Sequence, residues 1–294
     1  MKFLNILKLN IILVLKKTIL IASALFSALA VILSFVTWDD IGIKKICDKC
    51  LIFIVMLISA LVIAILYYTI FRRKNVIWEK GKGKIVVRYG DLMKIGFGKK
   101  NDERIVVIPV NTCFDTIVDT NIARQEKPLV SPSSIHGKWL KKMGMSAADI
   151  DSKIKDSIRV RDIKAVCEIP LGEKKRGNRL CYRRGTVVPV EGENNVTFFL
   201  LALAEFDSNN NAQCTKDEFI SCIKSLISFY NRNGQGIKMF LPLMGTNLSR
   251  VDLSHKDALN KIVALFKLYN DQIHGEVNIV VYDKDKDKVS ISDK

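Results

Sequence analysis

Two stretches of this 294-residue chain contain no charged side chain at all: Thr18–Trp38 and Cys50–Phe71, separated by eleven residues near the N-terminus. Neither shows the polar stripe of a long core helix, which argues against burial inside a globular domain. At about 1.5 Å of rise per residue each makes a helix slightly longer than the ~30 Å hydrocarbon core, which predicts two membrane spans. Other shortages narrow the function. No second cysteine pair or histidine follows Cys47-Asp48-Lys49-Cys50, so its metal-knuckle spacing has no partners. The acidic run Asp283, Asp285, Asp287 has Lys288 and Lys294 where a calcium loop needs Gly and Glu. The basic cluster Lys174, Lys175, Arg176, Arg179, Arg183, Arg184 lacks interleaved aromatics apart from Tyr182, and no nucleic-acid module surrounds it. It reads as a solvated loop, or one facing headgroups or phosphate. No internal repeat is present.

What is there begins with charge. Residues 1–71 carry seven lysines and three acids, so +12 of the +16 net charge belongs to residues 72–294, a surface attracted to an anionic leaflet. Lys2, Lys8, Lys16 and Lys17 precede the first span and Arg72, Arg73, Lys74, Lys80, Lys82 and Lys84 follow the second, against Lys44, Lys45 and Lys49 between them. This predicts cytoplasmic N- and C-termini. Trp38, Tyr67, Tyr68 and Trp78 fall where interfacial rings are favoured. Ala28-Leu29-Ala30 has the small-residue spacing of a signal cleavage site, but apolar residues continue to Val36, so spanning ranks above cleavage. The apolar segment Phe3–Leu15 either lies along the inner interface or lengthens the first span. Seven cysteines, an odd number in a domain expected on the reducing side, argue against a disulfide framework.

The rest alternates strand and helix patterns. Strands are predicted at Lys84–Tyr89, Arg104–Val110, Tyr182–Val190, Val196–Glu205, Ile237–Leu243 and Val277–Tyr282. Helices are predicted at Ser134–Met143, Ser146–Arg159, Thr215–Asn231 and Ser254–His274, the last three opening with capping-box patterns Ser146…Asp149, Thr215…Glu218 and Ser254…Asp257. The organisation expected is a basic and apolar segment (1–17), a transmembrane hairpin (18–71, with spans at 18–38 and 50–71), a basic linker (72–82) and one three-layer α/β/α domain with a mixed sheet (83–294).

Some loops of that domain have the makings of a nucleotide site. A glycine-containing loop between a strand's carboxyl end and a helix N-terminus presents backbone amides and the helix dipole to phosphate. Leu243-Met244-Gly245-Thr246-Asn247-Leu248-Ser249-Arg250 is such a loop, with Gly245 for close approach, hydroxyls at Thr246 and Ser249, and Arg250 for diphosphate charge. An ordinary strand-to-helix connection is the competing reading. Gly90-Asp91-Leu92 places a carboxylate where an adenine amino group would donate, and Asn111-Thr112 places an amide near a ribose. Both also make ordinary turns. Ser133-Ser134-Ile135-His136-Gly137 precedes an amphipathic stretch, where a histidine is more often a cap or surface residue than a catalyst.

In this order the pieces resemble the macro domain, an ADP-ribose-binding fold. Gly90-Asp91-Leu92 matches its Gly-Asp-Ile adenine motif, Ile105–Asn111 its strand ending in the ribose-side Asn, Ser134-Ile135-His136-Gly137 its ribose-contacting helix start, and Leu243–Arg250 its diphosphate loop. With the two-span hairpin, Gly185–Val190 and Pro242–Arg250, the chain resembles the membrane-anchored macro effectors of type II Thoeris antiphage defence. The resemblance implies a ligand, an ADP-ribose derivative such as histidine-ADP-ribose, made from NAD by a TIR-domain partner. It implies contacts through Asp91, Leu92, Asn111, Ser134, His136, Gly137, Leu243, Gly245, Thr246, Asn247, Leu248 and Arg250. It also implies an output in which homo-oligomerisation disrupts membrane lipid and arrests the infected cell. The chain departs from the family's pattern at Asn247, which replaces a second glycine, and at Lys99–Glu103, which lengthens the path from Asp91 to Asn111. The glycine run of hydrolytic members is replaced by Thr112–Arg124.

Three functions follow as expectations. The first is a ligand-gated membrane effector without catalysis, metal or cofactor, and without nucleic acid as partner. The second is a membrane-anchored ADP-ribosyl hydrolase with Asp115 or His136 as base. The third is a passive reader of ADP-ribosylated proteins.

Overall fold

The computed structural model describes residues 2–99, 102–119, 129–206, 212–246 and 253–292, and the chain divides into two compact units. One holds the residues up to Arg73 together with the segment from Lys284; the other holds Lys74–Asp283.

In the first unit, helices α1 (Lys2–Leu33) and α2 (Ile46–Leu66) form a hairpin, and α2 runs on into one π-helical turn, Tyr67–Phe71. Lys17 lies over the Tyr67 ring and Phe26 against Phe53, so the two helices are antiparallel. Both are long and apolar enough to cross a membrane. Ala22, Ala60 and Ala64 are buried along the seam, where small side chains let two helices approach closely. The segment Phe3–Leu15 belongs to α1, continuous with the uncharged stretch that follows. With neither Gly nor Pro between Lys2 and Leu33, nothing interrupts the helix.

The second unit opens with β1 (Lys74–Lys80), antiparallel to β2 (Gly83–Gly90). This corrects the expected basic linker at 72–82. Its charged residues suit an edge strand, which needs only one half-buried face and is protected from mispairing by lysines. Then come α3 (Leu92–Gly96), β3 (Arg104–Asn111), α4 (Ile135–Lys142), α5 (Ala147–Val160), and the short pair β4 (Cys167–Glu168) and β5 (Leu180–Cys181). They are followed by β6 (Val187–Glu191), β7 (Val196–Phe206), β8 (Ala212–Gln213), α6 (Lys216–Asn233), β9 (Lys238–Pro242), α7 (His255–Leu268) and β10 (Glu276–Tyr282). The strand expected at Tyr182–Val190 starts only at Val187, because Gly185 adopts a positive φ of 85° and turns the chain there. The helix expected at Ser254–His274 ends at Leu268 and gives way to a 3-10 turn.

The described strands form one mixed sheet in the order β1-β2-β10-β9-β3-β7-β6, with β8 on β7. Strands β2, β10, β9, β3 and β7 run parallel, so their carboxyl ends share one edge. Helices flank the sheet. Trp139, Leu140, Ile150 and Ile154 from α4 and α5 join Val106, Ile108, Val110, Phe198 and Leu200 in one core cluster. The alternate residues point to the other face, where Phe199 meets Phe229 of α6 edge-on. Each helix start is capped as expected, with one chemical distinction. Glu218 reaches back to the Thr215 amide and completes a capping box. Asp149 and Asp257, one methylene shorter, instead accept from the Ser146 and Ser254 hydroxyls.

At the opposite edge, Arg104 is buried, at 3% exposure. Its guanidinium donates to the carbonyls of Ile95, Gly98, Asp102 and Asn194, tying the turns around the amino end of β3. Only a five-donor fork serves that many acceptors. Arg104→Met should therefore destabilise this unit by about 3 kcal/mol or more, and Arg104→Lys should recover less than half of the loss, as read by chemical unfolding of the detergent-solubilised chain.

Candidate functional site

The parallel edge gathers the sequence-marked loops. Asp91 follows β2 and caps α3, accepting from the amides of Met93 at 2.9 Å and Lys94 at 3.3 Å through the same oxygen, Oδ1. Leu92 behind it is buried. Asn111 ends β3, Leu243 follows β9 with its amide bonded to the Val280 carbonyl, and Gly245 turns with φ of 90° before Thr246. Asn247, Leu248 and Arg250 lie outside the described residues. Since β10 stands between β2 and β9, the order along the edge runs from Asp91, past Tyr282 and the Leu243–Thr246 turn, to Asn111. The start of α4 comes to the same edge: Lys138 Nζ lies 5.8 Å from the centroid of the Tyr282 ring.

Ser134 accepts from the Gly137 amide at 2.9 Å and caps α4. A Cβ on Gly137 would come within 2.1 Å of the Ser131 carbonyl, so the glycine is what lets the preceding turn fold against the helix. His136 does not face solvent. It is buried, stacked on Trp139 with ring centroids 6.2 Å apart, and neither His136 Nε2 nor Trp139 Nε1 has a hydrogen-bond partner among the described residues. Burial pushes its imidazole down to about 3, so the ring is neutral at physiological pH.

Asn111 and Asp115 exchange two bonds: Asn111 Nδ2 donates to Asp115 Oδ2 at 2.9 Å, and the Asp115 amide to Asn111 Oδ1 at 3.0 Å. Lys174, 9% exposed, donates to the same Oδ2 at 2.7 Å, while the Asn178 amide takes Oδ1 at 2.8 Å. Asn178 Nδ2 in turn donates to Asp151 of α5 and to the Phe114 carbonyl. Asp115 is thus fully buried with both oxygens engaged. Gly177 completes the arrangement, since a Cβ there would stand 2.2 Å from Asp115 Oδ1.

The basic loop is largely exposed, as expected, but most of its cations are ion-paired. Besides Lys174, Arg176 pairs with Asp119, Arg179 with Glu168, and Arg184 with both Glu205 and Glu218. Its cations match acids at strand and helix ends, a pairing invisible in a composition count. The last of these pairs borders a cavity of about 330 Å³ lined by Thr112, Tyr182, Arg183, Glu205, Glu218 and Ser221, among others. It lies next to Asn111, between β3 and the next strand β7 on the side away from Asp91, and sequence reasoning missed it. Cys113 and Cys181 meet with sulfurs 3.0 Å apart; burial pushes both thiols up, which keeps them protonated. No cluster of potential metal ligands occurs among the described residues.

A mixed sheet flanked by helices, with its binding loops along the parallel edge, is the layout of a macro domain. A family model described as "Thoeris protein ThsA, Macro domain" matches residues 85–282, more than half the chain, and the chain belongs to that family. It is similar to the Thoeris protein ThsA of Bacillus amyloliquefaciens (strain Y2), 22% identical over 264 residues, covering 87% of this chain and 81% of that protein. Among solved structures, a variant of the Oceanobacillus iheyensis macrodomain with ADPR is 9% identical with a TM-score of 0.45, covering 73% of this chain and 92% of that one. The same macrodomain with ADP is 8% identical with a TM-score of 0.40, covering 73% and 90%.

Two outcomes check this geometry in thermal or urea unfolding of the detergent-solubilised chain. Lys174→Met strands a buried carboxylate and should cost about 3–5 kcal/mol, whereas Lys175→Met next to it should stay within about 0.5 kcal/mol of wild type. His136 has a folded-state pKa of about 3, below the 6.5 of the free side chain, so its contribution is complete above pH 6.5 and lost as pH falls toward 3. Between those limits wild type should lose up to about 1.4 kcal/mol per pH unit more than His136→Leu.

Proposed function

We propose that this chain is a membrane-anchored receiver in antiphage defence, whose macro domain binds an ADP-ribose derivative and thereby switches the hairpin from anchor to effector. The observation that carries the reading is the order of groups along one sheet edge. Asp91 stands at the adenine end, the Leu243–Thr246 turn in the middle for the diphosphate, and Asn111 at the ribose end. The cavity beyond Asn111 has room and mixed charge for a substituent on the distal ribose, which suits an adduct such as histidine-ADP-ribose better than ADP-ribose alone. Family membership supports the defence context, with a TIR-domain partner making the ligand from NAD. That related macrodomains have been captured with ADPR and with ADP supports the ligand class.

Binding without hydrolysis is favoured because the two candidate bases are poorly placed for it. Asp115 has both oxygens engaged by Asn111, Lys174 and Asn178, and His136 is buried and neutral. In the membrane, the two helices would span with both termini cytoplasmic. Two short-linked spans enclose no path by themselves, so the effector acts as a homo-oligomer. The ligand drives that assembly through its greater affinity for the assembled state.

Calorimetry of the full chain in detergent against ADP-ribose and its histidine adduct tests the site. Asp91→Asn keeps an efficient N-cap for α3 but alters the adenine acceptor, and should weaken binding about tenfold. Full affinity in Asp91→Asn would remove that residue from the site. Reconstituted in dye-loaded anionic liposomes, the chain should release dye only when the adduct is present; equal release without it would sink the gating claim.

A further inference from the structure

Helix α1 outruns its partner. With Lys17 beside Tyr67, the π turn that ends at Phe71 reaches back only to about residue 13 of α1, leaving roughly 18 Å of helix beyond it. Yet Asn10, on this stretch, is buried at 3% exposure. The cover at Asn10 comes from the other end of the chain. After β10 the backbone makes a 3-10 turn at Asp283–Asp285 and a further turn closed by Lys288 on the Asp285 carbonyl. Val289, Ser290 and Ile291 then follow as three consecutive buried residues.

The contact is chemically specific. Ser290 Oγ donates to Asn10 Oδ1 at 2.6 Å, while Asn10 Nδ2 donates back along its own helix to the Ile6 carbonyl at 2.8 Å. Ser290 Oγ also accepts from the Ser292 amide at 3.0 Å, and Lys2 Nζ reaches the Lys284 carbonyl at 3.4 Å. The segment therefore runs alongside α1 in the same direction, from Lys2 to Asn10. An amide buried on an apolar helix face is unfavourable unless paired, and the Ser290 hydroxyl is the pairing group outside α1. Apolar contact alone would slide; this hydrogen bond sets a register.

We propose that residues 284–292 are an intramolecular latch that holds α1 in its resting arrangement and that ligand binding releases. The trigger is covalently close. The latch begins at the residue after Asp283, and Tyr282 is the last residue of β10, the strand lying between those that carry Asp91 and the Leu243–Thr246 turn. A displacement of β10's carboxyl end on ligand binding is handed directly to the segment that pairs with Asn10. Release uncovers the face of α1 around Asn10, which is then free to pack against a second copy. Gating of membrane damage by the latch rests on the function proposed above; the latch contact itself does not.

The test uses the full chain in dye-loaded anionic liposomes. Ser290→Arg puts a bulky cation opposite Asn10 and should release dye without nucleotide at least tenfold faster than wild type. The apolar pair Asn10→Leu with Ser290→Val refills the contact and should stay as quiet as wild type. Hydrogen exchange of wild type gives a readout independent of any variant's folding: amides 289–291 should be protected at rest and exchange at least tenfold faster with saturating histidine-ADP-ribose. Ser290→Arg protein that inserts but leaks no faster than wild type overturns the latch, as does protection at 289–291 that is unchanged while calorimetry registers binding. If wild type never leaks with the adduct but Ser290→Arg does, the latch stands and the ligand assignment falls.

Discussion

The Asp115 side chain, buried beyond the carboxyl end of β3, is the constraint on which this end of the macro domain is built. A carboxylate withdrawn from water is tolerable only when its oxygens are filled, and here three separate pieces of chain fill them. Asn111 brings the end of β3, Lys174 brings the basic loop, and Asn178 brings the same loop's return and a link to Asp151 on α5. Gly177 follows from the same demand, because any side chain there would occupy the position of Asp115 Oδ1. The loop is therefore tied to the core at Lys174 and Asn178 although most of it is exposed.

Regular elements were legible in the sequence because they depend on local rules. Period-two apolar runs marked the buried parallel strands, and caps at Ser146, Thr215 and Ser254 marked helix starts to within a residue. The Gly-Asp turn, the Asn-ended strand and the glycine-bearing loop were read as parts of a nucleotide site from their place relative to strands. What stayed hidden was long-range. The strand β1 passed as a linker, since an edge strand half open to water carries no strong alternation. The ion pairs of the basic loop went unread, since their acids lie up to 59 residues away and only the folded chain brings them together. His136 was marked as a site residue by its neighbours, but its environment, buried against the Trp139 ring, is set by tertiary packing. Apart from these, Asn247, Leu248 and Arg250 lie outside the described residues.

Two kinds of energetics meet in this chain. The sheet and its helices are held by non-directional burial, which tolerates drift in sequence, and this accommodates a match to a relative at 22% identity. The ionic centre around Asp115 and the Asn10–Ser290 pair are directional and brittle, because removing one partner strands the other. They add little to net stability but penalise intermediate arrangements, which keeps the resting state discrete.

The length of α1 has a mechanical consequence. A continuous helix of 32 residues is about 48 Å long, and ~30 Å of hydrocarbon cannot contain it even at the steepest usual tilt. The lysine-bearing end and the uncharged stretch are therefore one rod with no Gly, Pro or loop between them. A jointed helix would absorb a twist applied at its outer end as a change of backbone dihedrals. An unbroken rod conducts torque, so rotating its lysine-studded end by a fraction of a turn would rotate the face its apolar stretch presents by the same angle.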